Sequence, residues 1–329
     1  VSVQKLSLLG MDLPDLLFYA RAKSPSGTLV SRSEVNMNYH SPASFAEASA
    51  LAANADGVTR FLAGGTDVLV QLRADIVTPD TLIDIKKIPG THDITRNGDG
   101  SWTLGAAVPG AELGEHAGLV ADWPGVVEAM NLVGSTQVQG RATLTGNLCN
   151  GSPAADSVPA MVAASMTATV TGPDGERVVA VEDIPTGPGR TSLAKGELIS
   201  ALHIPARGEN AGDAYLRFIP RSEMDIAVVG CAVNLRLDGD IITEARVSLG
   251  AVAPTVLLVG DAAAAIIGST LDDAALDRMA AAASAACKPI DDKRGTIAFR
   301  TEVAGVLAKR VARIAYARAK GEIIKGHHG

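Results

Sequence analysis

From Asp225 to Val256 the chain reads DIAVVGCAVNLRLDGDIITEARVSLGAVAPTV. The stretch is rich in valine and isoleucine, and Asp238–Gly239–Asp240 breaks it in the middle. Apolar runs of strand length on either side of an Asp/Gly turn specify antiparallel strands with a reversal at Asp238–Asp240. The segments beyond it are helical in character. DAAAAII, LDDAALDRMAAAASAAC and TEVAGVLAKRVARIAYARAK are dominated by alanine and other good helix formers. Strands followed by helices are the order of an α+β unit, expected here to run from about residue 213 to 329. The polar stretch Gly208–Gly212 marks its expected boundary.

The preceding half is organised differently. YHSPASFAEASALAANAD carries Ser44 and Glu47 at capping-box spacing ahead of an alanine-rich helix. TRFLAGGTDVLVQLR reads as a short strand, a glycine turn and a helix from near Thr66. TLIDI and SWTLGAAVP read as strands, the second with a glycine kink, and WPGVVEAMNLV as a helix. TATVTGPDGERVVAVE predicts a β-hairpin around Gly172–Gly175, and ELISALHIP a strand ending at Pro205. Residues 1–34 show no period and are expected to be an extension that packs on a neighbour.

Length and composition narrow the classes of function. A chain of 329 residues exceeds the size at which one core stops growing, so two domains are expected. Hydrophobic residues make up 47% and aromatics 3%, which predicts a large core of alanine, valine, leucine and isoleucine. A formal charge of −7 argues against DNA or anionic lipid as a partner. No apolar run reaches the roughly 18–20 residues of a membrane span. LSLLGMDLPDLLFYA is interrupted by Asp12, Pro14 and Asp15 and lacks the marks of a signal peptide. Cys149, Cys231 and Cys287 are odd in number and far apart, which suggests no disulfide framework and a reducing cytoplasm. Without HxxxH, CxxC or CxxxxC, ligand spacing argues against a zinc site or iron–sulfur cluster made by this chain alone.

Two segments carry the chemistry. In AGGTD, adjacent glycines let backbone N–H groups approach a bound group, and Thr66 and Asp67 can cap the following helix. Such a turn fits either a phosphate seat or an ordinary tight bend. It matches neither GxGxxG nor GxxxxGK[ST], so neither a Rossmann dinucleotide fold nor a P-loop is indicated. The second segment, RATLTGNLCNGSPAAD, holds Thr143, Thr145, Asn147, Asn150 and Ser152 as short hydrogen-bonding side chains. Gly146 and Gly151 free its backbone, and Asp156 closes it. It can wrap a phosphate-bearing ligand with a carboxylate on a ribose hydroxyl, or be a solvated Asn/Gly loop. Its apolar flanks, VQGRATL and VPAMVAASM, place it between buried elements, where backbone polar groups need partners.

Taken in order, FLAGGTDVLVQLR, TLIDIKKIPG, QVQGRATLTGNLCNGSPAADSVPAMVA, ELISALHIP and RSEMDIAVVGCAV resemble the FAD-binding medium subunit of molybdenum hydroxylases. That family includes carbon monoxide dehydrogenase, xanthine dehydrogenase and 4-hydroxybenzoyl-CoA reductase types. The closing PIDDKRGTIAFRTEVAGVLAKRVA is similar to the family's C-terminal domain, so the resemblance spans about residues 35–320. It implies an α+β fold: a two-part FAD-binding domain of the PCMH/vanillyl-alcohol-oxidase-like type over residues 35–212, subdivided near 90, then the C-terminal α+β domain. It implies that Ala63, Gly64, Gly65, Thr66, Asp67 and Val68 hold the FAD pyrophosphate, mostly through backbone. Thr143, Gly146, Asn147 and Asp156 would form a second clamp, with Asp156 near the sugar. Ile199 would pack on the flavin ring and Arg217 lie near its polar edge. Thr145 stands where the family commonly has a glycine. The cysteine-rich insertion of some relatives is missing, which disfavours the 4-hydroxybenzoyl-CoA reductase type.

The implied activity is oxidoreductase electron transfer with no catalytic acid, base or nucleophile on this chain. A large partner would carry the molybdopterin-type molybdenum cofactor and a small one two [2Fe-2S] clusters, in a dimer of heterotrimers. The rival readings are a self-sufficient FAD-dependent oxidase and a cofactor-free structural subunit. Elsewhere the bland readings are preferred. Cys149 reads as a buried filler, His203 as an outward strand residue, and Asp291–Arg294 as a cap with local ion pairs. Val303, Leu307, Val311 and Ile314 form the apolar face of the last helix, and its basic residues a solvated or docking face. Tyr215 and Phe218 fit either core or flavin contact.

Overall fold

The computed structural model describes residues 37–221 and 224–324. The expected extension at 1–34 lies outside them, as do Ser222 and Glu223 of the RSEMDIA motif.

Three layers follow one another along the chain. The first is a parallel sheet of β1 (Asn38–His40), β2 (Thr59–Leu62) and β3 (Thr81–Asp84) in the order β1-β3-β2. Its central strand, TLID, is buried throughout, as a parallel strand covered on both faces must be. Helix α1 (Phe45–Asn54) begins where the capping box places it: Ser44 Oγ accepts from the Glu47 N–H. Ala48 and Ala52 of α1 join Ile83, Ile85, Ile88, Ala106 and Leu198 in a small core. Helix α2 (Val68–Arg73) crosses from β2 to β3.

The second layer is a five-stranded antiparallel sheet, β4 (Ile94–Arg96), β5 (Trp102–Gly105), β6 (Thr167–Gly172), β7 (Gly175–Ala180) and β10 (Leu198–Ile204), ordered β4-β5-β10-β6-β7. The hairpin closes at Gly172–Gly175, as the sequence predicts. Strand β10 is inserted between β5 and β6, so the central pairings join distant segments. A small ribbon of β8 (Pro185–Gly187) and β9 (Arg190–Thr191) precedes it. The connection from β5 to β6 is helical: α3 (Gly110–Glu115), α4 (Ala117–Asp122), α5 (Pro124–Asn131), α6 (Thr136–Gln139), α7 (Leu144–Cys149) and α8 (Ser157–Ala163). Of these, only α5 is legible as a helix in the sequence. Leu113, Leu119, Met130, Leu148 and Met161 from this connection fill the largest core with Trp102, Leu104 and Leu202 of the sheet.

The third layer is an antiparallel sheet of β11 (Ala211–Phe218), β12 (Val229–Asp238), β13 (Ile241–Gly250) and β14 (Leu257–Leu258) in sequential order. Its hairpin turns at Gly239–Asp240, the expected position. Strand β12 starts at Val229, four residues into the DIAVVG run. Alternation gives the sheet two unlike faces. Cys231, Val233, Leu235, Val247 and Leu249 face α9 (Gly260–Ala264), α10 (Asp273–Ala286) and α11 (Ile297–Ala319). Tyr215 and Ala232 belong to the other core, against α8. Leu307 and Val311 of α11 are buried as predicted, while Val303 and Ile314 are half-buried and alanines fill the remaining contact. Among the described residues no helix is long and apolar enough to cross a membrane.

The edge of the third sheet is covered by the helical connection. Gly125 N–H of α5 donates to Asp213 Oδ2 (2.9 Å), and Arg207 Nη1 donates to Asp213 Oδ1 (3.0 Å). Arg318 of α11 pairs with Glu128 of α5 and donates to the Asp213 carbonyl (2.8 Å). Burial pushes the Asp213 carboxyl up, against the pull of Arg207 and Arg318. Gly212 lies against the last helix, where an added Cβ would sit 1.9 Å from the Ala315 carbonyl oxygen and 2.5 Å from the Ala319 nitrogen. Because both neighbours are backbone, Gly212→Ala is expected to destabilise the fold by about 3 kcal/mol. Gly208→Ala, whose Cβ would meet only the Arg236 side chain at 3.5 Å or beyond, serves as control. Urea titration of the two variants checks this; equal midpoints refute the packing account.

Candidate functional site

The two chemistry-bearing segments, distant in sequence, lie against each other. Gly64 is buried, and a Cβ there would fall 1.9 Å from the Arg141 carbonyl oxygen and 3.2 Å from Ala142 Cα. Further along the same pair, Gln71 Nε2 of α2 donates to Asn150 Oδ1 just beyond α7 (3.0 Å). The AGGTD turn therefore sits beside the start of the second segment, and α2 beside its middle, just past α7. Gly65 takes φ of +85°, the left-handed region that favours glycine.

The turn differs from its sequence reading in one respect. The helix begins at Val68 and not at Thr66, and Asp67 at its N-cap makes no side-chain cap bond. The Asp67 backbone is already helical (φ −93°, ψ −53°), so its carboxylate cannot fold back as an N-cap does. Among the described residues, the N–H groups of Gly64, Gly65, Thr66 and Asp67 have no protein acceptor. Ala63 precedes them half-buried, and Asp67 is exposed.

The second segment also differs, because it is not a loop. Leu144–Cys149 form a helix, and Thr143 Oγ1 caps it by accepting from the Gly146 N–H (2.9 Å). Short polar residues around one Leu read as a loop, yet Thr143 is an N-cap with apolar Leu144 and Leu148 turned into the core. Asn147 Oδ1 accepts from both the N–H (3.2 Å) and Oγ (2.6 Å) of Ser157, tying α7 to α8. Thr145 is buried, with its hydroxyl unpartnered. Gly151, at φ +63°, is pressed against the β9 ribbon at Arg190.

Asp156 sits at the head of α8, a helix whose residues are all buried. Its carboxylate is shared between two donors from β11: the Tyr215 hydroxyl on Oδ1 (3.0 Å) and Arg217 Nη1 on Oδ2 (2.5 Å). Burial pushes the Asp156 carboxyl up to about 6, against the Arg217 charge and the hydrogen bonds from Tyr215 and Arg217. The Arg217 side chain is 6% exposed, and its Nε has no partner among the described residues. Arg246 of β13 holds the other end of α8 by donating to the Val162 carbonyl (3.0 Å) and to Glu182 (2.7 Å). The predicted residues thus form two groups, Ala63–Val68 beside the start of α7, and Asp156 with Arg217. Thr143, Gly146 and Asn147 connect them through α7. Ile199 is 2% exposed, in the main core on β10.

These surroundings match a known family along most of the chain. Residues 34–207 match the FAD binding domain in molybdopterin dehydrogenase, and residues 214–315 the CO dehydrogenase flavoprotein C-terminal domain. The chain belongs to the FAD-binding subunit family of the molybdenum hydroxylases. Such subunits are components of oxidoreductases. The carbon monoxide dehydrogenase medium chain of Hydrogenophaga pseudoflava is 31% identical over 280 residues, 85% of this chain and 97% of that protein. A xanthine dehydrogenase FAD-binding subunit of Escherichia coli O157:H7 is 30% identical over 287 residues, 87% and 98% of the two chains. Among solved structures, a carbon monoxide dehydrogenase from Hydrogenophaga pseudoflava that lacks the Mo-pyranopterin moiety of its molybdenum cofactor superposes with a TM-score of 0.83. It is 32% identical and covers 86% of this chain and 98% of that one. The resemblance of the sequence motifs to this family is thereby borne out.

The residues present suit FAD, the cofactor that defines the family. Four consecutive N–H groups without an acceptor among the described residues, and a glycine pair without room for side chains, are of the kind that would cradle a diphosphate. Sequence reasoning missed Tyr215 as the partner of Asp156, and Gln71, Ser157 and Arg246 as fasteners. Their contacts join residues too distant for any local pattern to signal. Cys149 is half-buried against the main core, and burial pushes its thiol up to about 12. His203 is half-buried between Thr169 (2.7 Å) and Thr103 (3.3 Å), and burial lowers its pKa.

A raised carboxyl pKa has a defined linkage sign. Its stabilising contribution is complete below the unfolded value near 4 and is lost as pH rises through about 6. Relative to Asp156→Asn, the native protein is therefore expected to lose up to about 3 kcal/mol between pH 4 and 7. Paired denaturant titrations across that range check the sign; a difference that grows in the opposite direction overturns it.

Proposed function

We propose that the AGGTD turn and the α7–α8 segment seat FAD, and that this chain passes electrons between metal-containing partners and an external acceptor. The observation that carries the reading is the close approach of Gly64 to Arg141 beside four backbone N–H groups that have no acceptor among the described residues. Gly64, Gly65, Thr66 and Asp67 would hold the diphosphate through backbone, flanked by Ala63 and Val68. Thr143, Gly146 and Asn147 would shape the facing wall, with the Thr143 cap and the Asn147–Ser157 bonds fixing α7. Asp156 would lie at the sugar and Arg217 at the polar edge of the ring, with Ile199 behind it in the core.

Bound FAD supplies a carrier that exchanges electrons one or two at a time, and the protein's part is positioning and tuning. This chain's contribution is then electrostatic. Backbone N–H groups offset the diphosphate charge, and Arg217 places a cation held by Asp156. Burial of α8 fixes that carboxylate from behind. The family supports a heteromeric complex: a large subunit with a molybdopterin-type molybdenum cofactor, and a small one with two [2Fe-2S] clusters. We propose a dimer of such heterotrimers, divided on this chain into a FAD-binding domain at 35–212 and a C-terminal domain at 213–329. Three unpaired cysteines support a cytoplasmic setting.

Gly65→Asp is expected to abolish FAD retention. It sets a side chain at φ +85° with its Cβ 2.9 Å from Leu62 Cδ1, and adds negative charge beside the diphosphate. Gly98→Asp, whose Cβ meets nothing within 4 Å, is the control. Flavin absorbance per protein measures the outcome. A Gly65→Asp protein that purifies yellow at the control's FAD content refutes the seat.

A further inference from the structure

The Asp156–Arg217 contact is single-pronged. Arg217 offers Nη1 alone to Asp156 Oδ2 and keeps Nε bare in a buried setting. Arginine and carboxylate favour a two-pronged pair, and a buried donor left without a partner is costly. Something must hold the pair open. The other carboxylate oxygen is taken by the Tyr215 hydroxyl at 3.0 Å. Tyr215 is itself locked in place: it is 2% exposed within the main core, and its hydroxyl occupies the space a side chain at Gly230 would need. A Cβ on Gly230 would lie 2.6 Å from that hydroxyl. Core filling alone would be met by phenylalanine, so the hydroxyl answers to Asp156.

We infer that Tyr215 is a positioning residue for the cofactor: its bond to Oδ1 fixes the Asp156 carboxylate in the orientation that meets Arg217 through Oδ2 alone, and so reserves guanidinium N–H donors for the ligand. The inference rests on the reading of Asp156 and Arg217 as residues that border bound FAD. Its consequence is electronic. Reduction adds negative charge to the flavin, so an available guanidinium favours the reduced over the oxidised form. With the hydroxyl removed, Asp156 can turn and engage Arg217 through both oxygens. The donors are then withdrawn, and the bare Nε acquires a partner.

The test uses the full-length chain loaded with FAD, with FAD content and flavin midpoint potential as readouts. Tyr215→Phe is expected to keep FAD at the native ratio. It should weaken the preference for reduced over oxidised flavin about tenfold, a fall of about 30 mV for a two-electron couple. Gly230→Ala keeps the hydroxyl but displaces it, and should move the potential the same way. In an Asp156→Asn background, Tyr215→Phe should produce no further shift, since no carboxylate remains to capture Arg217. If both single variants hold FAD at the native potential, the inference is overturned, even if their melting temperatures fall. A shift of equal size in the Asp156→Asn background also overturns it. Should one variant fail to fold, the other decides. A native chain that takes up no FAD at all overturns the reading beneath, a result distinct from native FAD content with an unmoved potential.

Discussion

The contact of Gly64 with the Arg141 carbonyl governs the arrangement of this molecule. A turn between two parallel strands is held against the middle of a helical connection that belongs to a different sheet, just ahead of α7. Only a residue without a side chain permits that distance. The Gln71–Asn150 hydrogen bond then keeps the two segments side by side. Everything proposed for the cofactor depends on these two contacts, because neither segment alone has more than an ordinary turn or a short capped helix to offer. Their juxtaposition leaves adjacent backbone donors without acceptors among the described residues, a deficiency that a bound diphosphate would answer.

The third layer completes the site from behind. Helix α8 is buried on all sides, with the main core on one flank and the small and polar face of the β11–β14 sheet on the other. Its head is held through Asp156 by Tyr215 and Arg217, and its tail through Val162 by Arg246. A second set of charges, buried Asp213 with half-buried Arg207, Glu128 and Arg318, fastens α5 to the edge of that sheet and to the last helix. Buried charges contribute little net stability when paired, but removing one partner leaves the other stranded. Here these contacts fix how the C-terminal sheet meets the α5–α8 connection.

Much of this was legible in the sequence. The capping box at Ser44, the hairpins at Gly172–Gly175 and Gly239–Asp240, and the alanine-rich helices are local patterns with local causes, and they stand where expected. Motif order also led to the family. Three features were not legible. The 144–149 helix hides in a run of small polar residues, because its single cap, Thr143, is indistinguishable in sequence from a loop threonine. Strand β11 opens in the polar stretch Gly208–Gly212, since Gly212 serves close packing on the last helix and not a linker. The Tyr215–Asp156 bond joins residues on different layers, and no periodicity reports such a contact.

The insertion of β10 between β5 and β6 has a consequence for how the chain reaches this state. Strand β5 ends at Gly105, and its central neighbour begins only at Leu198. The sheet therefore cannot close until the ribosome has made both, and the loop it must close contains α7 and α8. Pairings of such long sequence separation carry a large entropic cost before any contact rewards them, which slows folding. The helices proposed to line the cofactor seat thus lie inside a loop that this long-range pairing must close. A cofactor that binds only the closed arrangement would act as a latch on it.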